Sequence, residues 1–172
     1  MDSLKEKQSQ LEGLYAEYFV KIARYAYARI GDRTEAEDIA GEVFIKALDA
    51  LKSYQDRGLP MQAWLFKIAH NLVVDHLARK SKQKAIPLET VEIIEKGDPV
   101  SIAETNLEME RVNKAMQDLT EEQREVVNLR FFGGLSSKEV ADLLNKKDGA
   151  VRQMQSAALE KLRNILNEDR SR

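Results

Sequence analysis

One acidic segment divides two blocks of helical sequence, and this division constrains the fold more than any other feature. Between Lys84 and Thr105 the helical repeat of apolar residues fades, and Pro87, Gly97 and Pro99 oppose a continuous helix. The chain is therefore expected to be all-α, with two small helical domains at 1–83 and 109–172 and a flexible linker at 84–108. The carboxylates in and beside the segment, with Lys96 as the only intervening base, are Glu89, Glu92, Glu95, Asp98, Glu104, Glu108 and Glu110.

The N-terminal block predicts three helices. The first carries apolar residues at helical spacing over 11–30, and Gly31 follows where a left-handed C-terminal cap is favourable. Thr34 and Glu37 form a capping-box pattern that is expected to start the second helix. Pro60 is expected in the first turn of the third helix, because its missing N–H needs no partner there. That helix ends in a basic cluster of Arg79, Lys80, Lys82 and Lys84.

The C-terminal block predicts a four-helix module. Two capping boxes, Thr120 with Gln123 and Ser136 with Glu139, mark the starts of two of its helices. The paired glycines at 133 and 134 end the helix that precedes the second box. A polar turn over 145–149 then separates two helices, the second with polar residues on one face. This pattern is typical of a helix-turn-helix.

Composition excludes several classes of protein. The sequence has no cysteine, so disulfides, thiolate zinc sites and cysteine nucleophiles are excluded, and we expect no metal or cofactor. No run of about 18 apolar residues is present to cross a membrane, and the start of the chain lacks the apolar core of a secretory signal. We therefore expect a cytoplasmic protein without membrane insertion. The formal net charge of -2 argues against a protein that coats duplex DNA by itself, because non-specific affinity comes mainly from neutralised phosphates.

Two classes of function can be weighed from the residues alone. An enzyme would need His70 and His76 with Asp75 as a metal or acid–base group, but residues six apart on a helix lie on largely different faces. No phosphate-binding glycine loop or nucleophile motif accompanies them, so the sequence predicts no enzyme. A free-standing helix-turn-helix regulator, which binds an operator as a dimer, is compatible with the C-terminal block and stays open.

Three runs of sequence occur in the same order as in one protein family. They are AEDIAGEVFIKAL at 36–48, WLFKIAHNLVVDHL at 64–77 followed by Arg79 and Lys80, and LTEEQREVV at 119–127 followed by Leu129, Arg130 and SKEVA at 137–141. Together they resemble the extracytoplasmic-function sigma factors of the sigma-70 superfamily. The resemblance implies a protein that binds core RNA polymerase and directs promoter-specific, DNA-templated transcription initiation.

The resemblance assigns polymerase contacts and regulation as well. It implies that the first domain docks on the β′ clamp and recognises the minus-ten element, while the second domain reads the minus-thirty-five element near the β flap. It also implies an anti-sigma factor as a partner. For Phe44, a place in the core is an equal alternative to docking, because apolar stripes of helices usually face inward. The residues assigned to core polymerase are Asp38, Ile39, Glu42 and Phe44.

The family's DNA contacts carry over to two groups of residues. By resemblance, the loop at 54–61 holds a flipped base of the minus-ten element and Asn71 hydrogen-bonds there, although an Asn within a helix can instead bond only to its neighbours. The minus-ten residues so assigned are Tyr54, Arg57, Gly58, Asn71, Arg79, Lys80 and Lys82. The minus-thirty-five residues so assigned are Ser137, Lys138, Lys146, Lys147, Arg152, Gln153, Gln155 and Ser156.

Two features bear on how the protein meets DNA. Ala150 and Ala157 stand where the family often has Thr and Arg, and the formal net charge of the chain is not positive but -2. We therefore expect the isolated chain to bind duplex promoter weakly and to depend on polymerase for delivery. The acidic linker is either a solvated tether between the domains or a source of carboxylates that line a basic polymerase channel.

Overall fold

Two compact helical units make up the part of the chain that the structure describes. The computed structural model describes residues 2–56, 58–84 and 107–171, and every regular element within these ranges is helical. Residues 2–55 and 65–84 belong to the first unit, while Asp56, residues 58–64 and residues 107–171 belong to the second. The all-α expectation is confirmed. The acidic segment at 85–106 lies outside the described residues, so the domain boundaries set from the sequence stay a prediction.

The first unit is built from α1 (Asp2–Ile30), α2 (Arg33–Asp49), a 3-10 turn at Leu51–Ser53 and most of α3 (Met61–Lys84). Gly31 ends α1 in the left-handed region, with a φ of 76°, and its N–H donates to the carbonyl of Tyr27 at 2.8 Å. Glycine adopts this conformation without the steric cost that a Cβ brings. The predicted C-terminal cap is confirmed.

The starts of α2 and α3 differ from the sequence prediction. Asp32 is the N-cap of α2: its Oδ1 accepts a hydrogen bond from the N–H of Glu35 at 2.9 Å. The predicted Thr34–Glu37 capping box is therefore wrong, because Asp32 already starts the helix two residues earlier. Pro60 lies one residue before α3 instead of in its first turn, and its carbonyl accepts from the N–H of Trp64 at 3.0 Å.

Aromatic side chains hold the three helices of the first unit together. Tyr25 and Phe66 are fully buried with ring centroids 5.7 Å apart, which joins α1 to α3. Phe44 meets Tyr15 edge-on at 4.9 Å, which joins α1 to α2. Such edge contacts add about 0.5–1.5 kcal/mol each beyond the burial of apolar surface. This packing fixes which faces of α2 and α3 point away from the core.

The second unit contains the four predicted helices: α4 (Leu107–Met116), α5 (Glu121–Val127), α6 (Ser137–Leu144) and α7 (Asp148–Ser171). A π-helical turn at Asn128–Phe132 separates α5 from α6. Both predicted capping boxes are confirmed. Thr120 and Gln123 exchange two hydrogen bonds of 3.1 Å, and Ser136 and Glu139 exchange bonds of 2.9 and 3.1 Å.

Apolar contacts among α4, α5 and α7 form a core of the second unit. Arg124 closes the C-terminal end of α4, where carbonyls lack partners within the helix. Its Nε donates to the carbonyl of Met116 at 3.1 Å, and its Nη2 donates to the carbonyls of Gln117 and Leu119 at 3.2 Å each. Arg124 is therefore bound into the fold. The buried residues of the core between α4, α5 and α7 are Ala115, Met116, Leu119, Val127, Ala158 and Leu162.

Candidate polymerase-docking and nucleic-acid surfaces

An exposed stripe along α2 combines acidic and apolar side chains. Asp38, Glu42, Ile45 and Asp49 recur every three or four residues, so they share one face of the helix. All four are exposed, and Ile45 is 63% exposed. Lys46 lies 4.0 Å from Glu42, a long surface pair that contributes little and leaves this carboxylate available. These four residues, termed the α2 stripe, suit a partner that surrounds an apolar patch with basic groups.

Two residues that the resemblance assigns to polymerase lie in the core instead. Ile39 is 7% exposed and Phe44 is 8% exposed, and the ring of Phe44 packs against Tyr15. The core alternative for Phe44 is what the structure shows. Ile45, which the sequence reasoning passed over, takes the apolar position on the outside of α2. Its spacing of three from Glu42 and seven from Asp38 is the signal that identifies it.

Asn71 lies on an exposed face of α3 together with Lys82. Lys67, Asn71, Asp75 and Lys82 recur at intervals of four or seven residues, and all four side chains are exposed. Arg79 is exposed at the edge of this group. The α3 face, defined by these five residues, offers an amide for a base edge and cationic groups for phosphates. Asp75 is the one acid within it.

Lys80 belongs to a different surface of α3. It stands nine residues after Asn71, two and a half helical turns away, and therefore on the opposite side of the helix. Its Nζ lies 3.5 Å from Glu35 Oε2 at the start of α2, and His76 Nε2 lies 3.2 Å from the same oxygen. Among the described residues, His76 Nε2 has no hydrogen-bond partner of good geometry, so its contact with Glu35 is electrostatic. The structure separates Lys80 from Asn71 and Lys82, although the resemblance groups them.

The loop before α3 presents little aromatic surface. Tyr54 is 8% exposed, and its carbonyl accepts a hydrogen bond from Lys7 Nζ at 2.7 Å, which ties the start of the loop to α1. Gly58 is exposed with a φ of 88°, and its N–H donates to Asp56 Oδ1 at 3.2 Å. Arg57 lies outside the described residues. Of the assigned loop residues, Gly58 is on the surface and the Tyr54 ring is not.

Helices α6 and α7 and the turn between them form the predicted helix-turn-helix. Asn145 ends α6 in the left-handed conformation, with a φ of 59°, which Asn tolerates better than most residues. The N–H of Lys146 then donates to the carbonyl of Ala141 at 2.8 Å. Val140 and Val151 are fully buried and anchor the two helices to the rest of the unit. The short turn joins the end of α6 to the start of α7.

The outer face of α7 carries polar side chains near its N-terminal end. Arg152, Gln153 and Ser156 are exposed there, while Lys138 on α6 and Lys147 in the turn are exposed nearby in the sequence. The N-terminal residues of a recognition helix are those that reach base edges in the major groove. Arg and Gln can each present two hydrogen-bonding groups to a base pair. The α7 face is defined by these five residues, namely Arg152, Gln153 and Ser156 on α7 with Lys138 and Lys147.

Gln155 is turned away from the α7 face. It is half-buried, and its Oε1 accepts a hydrogen bond from Arg130 Nε at 2.9 Å. Arg130 also donates through Nη1 to the carbonyl of Leu135 at 2.6 Å. Arg130 therefore ties the π-helical turn both to α7 and to the segment before α6. Gln155 supports the helix-turn-helix from within.

Three other residues assigned to the minus-thirty-five element are engaged by carboxylates. Ser137 Oγ donates to Asp148 Oδ1 at 2.6 Å, and Arg152 Nη2 lies 3.1 Å from Asp148 Oδ2. Lys146 Nζ forms an ion pair with Glu122 Oε2. The sequence reasoning missed both acids. The spacing of four between Asp148 and Arg152 is a visible signal, whereas Glu122 and Lys146 stand 24 residues apart and are paired only by the fold.

The two histidines proposed for an enzyme contact different helices. His70 Nδ1 lies 3.4 Å from Tyr25 Oη on α1, whereas His76 faces Glu35 on α2. Across residues 2–56, 58–84 and 107–171, no group of three or more His, Cys, Asp and Glu side chains is arranged to hold a metal ion. In those same ranges no helix combines the length and apolar character needed to cross a membrane.

Known families and relatives match both parts of the chain. Residues 14–83 match sigma-70 region 2, and residues 115–164 match sigma-70 region 4. The ECF RNA polymerase sigma factor BldN of Streptomyces coelicolor is 34% identical over 160 residues, which cover 91% of this chain and 60% of BldN. The ECF RNA polymerase sigma factor SigD of Mycobacterium tuberculosis is 35% identical over 148 residues, which cover 83% of this chain and 70% of SigD. The chain thus spans less than two thirds of BldN.

Two solved structures share the fold. The sigma factor RpoE, from a co-crystal structure with the anti-sigma factor NepR from Bartonella quintana, matches with a TM-score of 0.72 at 22% identity. That match covers 95% of this chain and 98% of RpoE. CnrH, in complex with the cytosolic domain of CnrY, matches with a TM-score of 0.70 at 26% identity, over 98% of this chain and 94% of CnrH.

Proposed function

Because this chain belongs to the extracytoplasmic-function sigma factors of the sigma-70 family, we propose that it binds core RNA polymerase and directs promoter-specific initiation of transcription. The observation that carries the proposal is the presence of sigma-70 regions 2 and 4, in that order, along one chain. A free-standing helix-turn-helix regulator needs only the second of these, so that alternative is not favoured. In this function the polymerase supplies the chemistry, and the chain supplies recognition without being an enzyme.

The α2 stripe is the surface proposed for the β′ clamp. Its three carboxylates are exposed around Ile45, so a basic partner can approach without displacing a strong internal ion pair. Burying a large aliphatic side chain such as Ile45 contributes roughly 1.5–3 kcal/mol. Asp38 and Glu42 keep the role that the resemblance assigns, while Ile45 replaces Ile39 and Phe44 as the apolar contact.

The α3 face is the surface proposed for the minus-ten element. Opening a promoter requires unstacked bases to be captured and single-stranded phosphates to be held, which calls for a hydrogen-bonding group beside positive charge. Asn71 supplies the amide, and Arg79 and Lys82 supply the charges on the same side of α3. Gly58, exposed in the preceding loop, is kept as a backbone contact. Arg57 remains assigned by resemblance alone.

The α7 face is the surface proposed for the minus-thirty-five element. Arg152, Gln153 and Ser156 are exposed and are proposed to contact base edges, while the exposed Lys138 and Lys147 are proposed to contact phosphates. Phe131, 57% exposed at the π-helical turn, offers the second unit an apolar contact for the β flap.

The regulation and the location of the chain are also inferred from its family. RpoE is in complex with the anti-sigma factor NepR, and CnrH is in complex with the cytosolic domain of CnrY. We propose that this chain also binds an anti-sigma factor and that it acts in the cytoplasm, where the polymerase is.

A titration of the fluorescently labelled chain with bacterial core RNA polymerase tests the proposal. The wild type is expected to bind, and the double reversal Asp38→Lys with Glu42→Lys is expected to weaken binding by at least ~10-fold, because it turns attraction to basic groups into repulsion. Ile45→Ala should weaken binding by about 10-fold through lost apolar burial. No binding by correctly folded wild type would refute the sigma-factor proposal and favour the free-standing regulator.

A matched charge change on another helix controls for net charge. Glu6→Lys with Glu12→Lys alters two exposed acids of α1 and changes the formal charge by the same amount. This variant is expected to bind core polymerase like the wild type. An equal loss in both double variants would place the effect in the overall charge of the chain and remove the α2 stripe from the proposal.

A further inference from the structure

Cationic and hydroxyl groups around the start of α7 contact carboxylates of the same unit. Asp148 uses both of its oxygens: Oδ1 accepts from Ser137 Oγ at 2.6 Å, and Oδ2 lies 3.1 Å from Arg152 Nη2. Glu122, in the first turn of α5, pairs with Lys146 in the turn of the helix-turn-helix. Ser137, Arg152 and Lys146 are three of the residues assigned to DNA by resemblance. Each of them therefore has a competitor for DNA within the unit.

The position of Asp148 makes it a good substitute for a phosphate group. It stands in the first turn of α7, where the helix dipole favours negative charge, and it carries anionic oxygens toward a hydroxyl and a guanidinium. A DNA phosphate that approached this end of α7 would compete with the Asp148 carboxylate for the Arg152 guanidinium. Like charges repel, so the phosphate must displace Asp148 from Arg152 before it can take its place.

We propose that Asp148 and Glu122 are affinity-determining residues: Asp148 holds Arg152 away from the base edges and phosphates of DNA, and Glu122 holds Lys146 away from its phosphates. The inference rests on the proposed promoter-binding function of the α7 face and explains how that face is restrained in the isolated chain. DNA can replace the carboxylates in these two ion pairs, because the side chains of Arg152 and Glu122 are 68% and 62% exposed. Exposed pairs of this kind are weak, so the restraint is worth several-fold in affinity and not orders of magnitude.

Neutral substitutions of the two acids test the inference. Asp148→Asn keeps an oxygen that accepts from Ser137 but releases Arg152, and Glu122→Gln releases Lys146. Binding of the full chain to a short fluorescent duplex of random sequence is measured by anisotropy over a series of salt concentrations. Each variant is expected to bind about two- to five-fold tighter than wild type. The slope of log affinity against log salt concentration should steepen by about one for each Arg or Lys side chain that is released from its carboxylate.

Two control variants make the same change of charge at acids that, in the described part of the chain, do not pair with a basic side chain. Asp142→Asn on α6 and Glu160→Gln on α7 neutralise exposed acids of the same unit, for which the structure shows no ion pair among the described residues. They are expected to tighten binding by less than Asp148→Asn and to leave the salt slope unchanged. Thermal unfolding by circular dichroism checks that all four variants fold.

The outcomes separate this inference from the proposed function. Equal tightening by test and control variants would overturn the inference, as would no measurable binding by any variant at low salt. Weaker binding by Asp148→Asn would overturn it too, and would show that Asp148 orients Arg152 for DNA. Core-polymerase binding by the wild type is measured separately. Its failure would count against the proposed function while leaving the comparison of Asp148→Asn with Asp142→Asn intact.

Discussion

Lys80 and Lys82 stand two residues apart in the basic cluster but have different surroundings. Lys82 shares the α3 face with Asn71, whereas Lys80 lies 3.5 Å from Glu35 on the opposite side of α3. We expect Lys82→Gln to make the salt dependence of holoenzyme binding to promoter DNA less steep by about 0.9, the loss of one phosphate contact. Lys80→Gln is its matched control, with the same charge change, and should leave that slope unaltered. A larger change from Lys80→Gln would exclude the proposed orientation of the α3 face.

Asn128 is a buried polar residue in the core of the second unit. It is fully buried, and neither its Oδ1 nor its Nδ2 has a hydrogen-bond partner among the described residues. An unsatisfied buried polar group costs about 1–3 kcal/mol. Asn128→Leu, of similar size, should therefore raise the free energy of unfolding by about 1 kcal/mol, measured by urea denaturation. Asn128→Asp, which buries a charge, should lower it. A less stable Leu variant would show that the amide is hydrogen-bonded in solution.

Single residues show where sequence reasoning succeeds and where it stops. Asp38, Glu42 and Asn71 are exposed as expected, because helical periodicity separates the inner face of a helix from its outer face. Phe44 was ambiguous because an apolar residue next to a polar stripe suits either side. The contacts of Arg130 with Gln155, and of Lys146 with Glu122, join segments 25 and 24 residues apart. No local pattern encodes such pairs, since they depend on how helices pack.

Helix boundaries were predicted where a side chain leaves a distinctive local pattern. The two capping boxes of the second unit were found because each joins residues three apart. The same pattern gives a wrong helix start at α2. It predicts Thr34 as the N-cap, but Asp32, which directly follows the glycine that ends α1, is the N-cap in the structure. The π-helical turn at Asn128–Phe132 had no sequence signal. Its geometry depends on the packing of the unit around it.

The glycines of α1 allow a paired test of how this helix ends. Gly31 has a φ of 76°, while Gly13 lies within the helix, and an added Cβ would meet nothing within 4 Å at either site. Only backbone preference therefore distinguishes the two positions. Gly31→Ala should lower the free energy of unfolding by about 1 kcal/mol, because alanine resists the left-handed conformation. Gly13→Ala should raise it by up to about 1 kcal/mol through helix propensity. Changes of the same sign in thermal denaturation would contradict this description of the end of α1.

At the scale of the whole molecule, charge is distributed so that surfaces of opposite sign coexist on a chain with a formal net charge of -2. The α2 stripe is acidic, whereas the α3 and α7 faces are mainly basic. Local fields of this kind can direct one surface to a protein and another to DNA. The two-domain organisation was predictable from the break in periodicity after Lys84. The sequence could not indicate how strongly each basic group is paired within its own unit, and this pairing bears directly on the weak DNA binding that we expect of the isolated chain.

The acidic segment between the domains, outside the described residues, provides the last test at this scale. Its composition, with Pro87, Gly97 and Pro99 among carboxylates, suits a solvated tether whose main property is reach. Replacing Glu89, Glu92, Glu95, Asp98 and Glu104 together by serine preserves length and polarity while removing the charge. We expect core-polymerase binding and abortive initiation in a purified system to stay within about two-fold of wild type, because a tether acts through length and composition.

A deletion variant gives the matching comparison for that tether. Removing residues 89–95 shortens the segment while leaving both described units intact, and it should reduce initiation more than the serine variant does, because the domains can no longer reach both promoter elements together. The opposite order, with the serine variant impaired and the deletion active, would favour carboxylates that line a basic polymerase channel. Core binding should survive in either variant, since the α2 stripe lies wholly within the first unit. Loss of initiation with retained core binding therefore separates promoter engagement from docking.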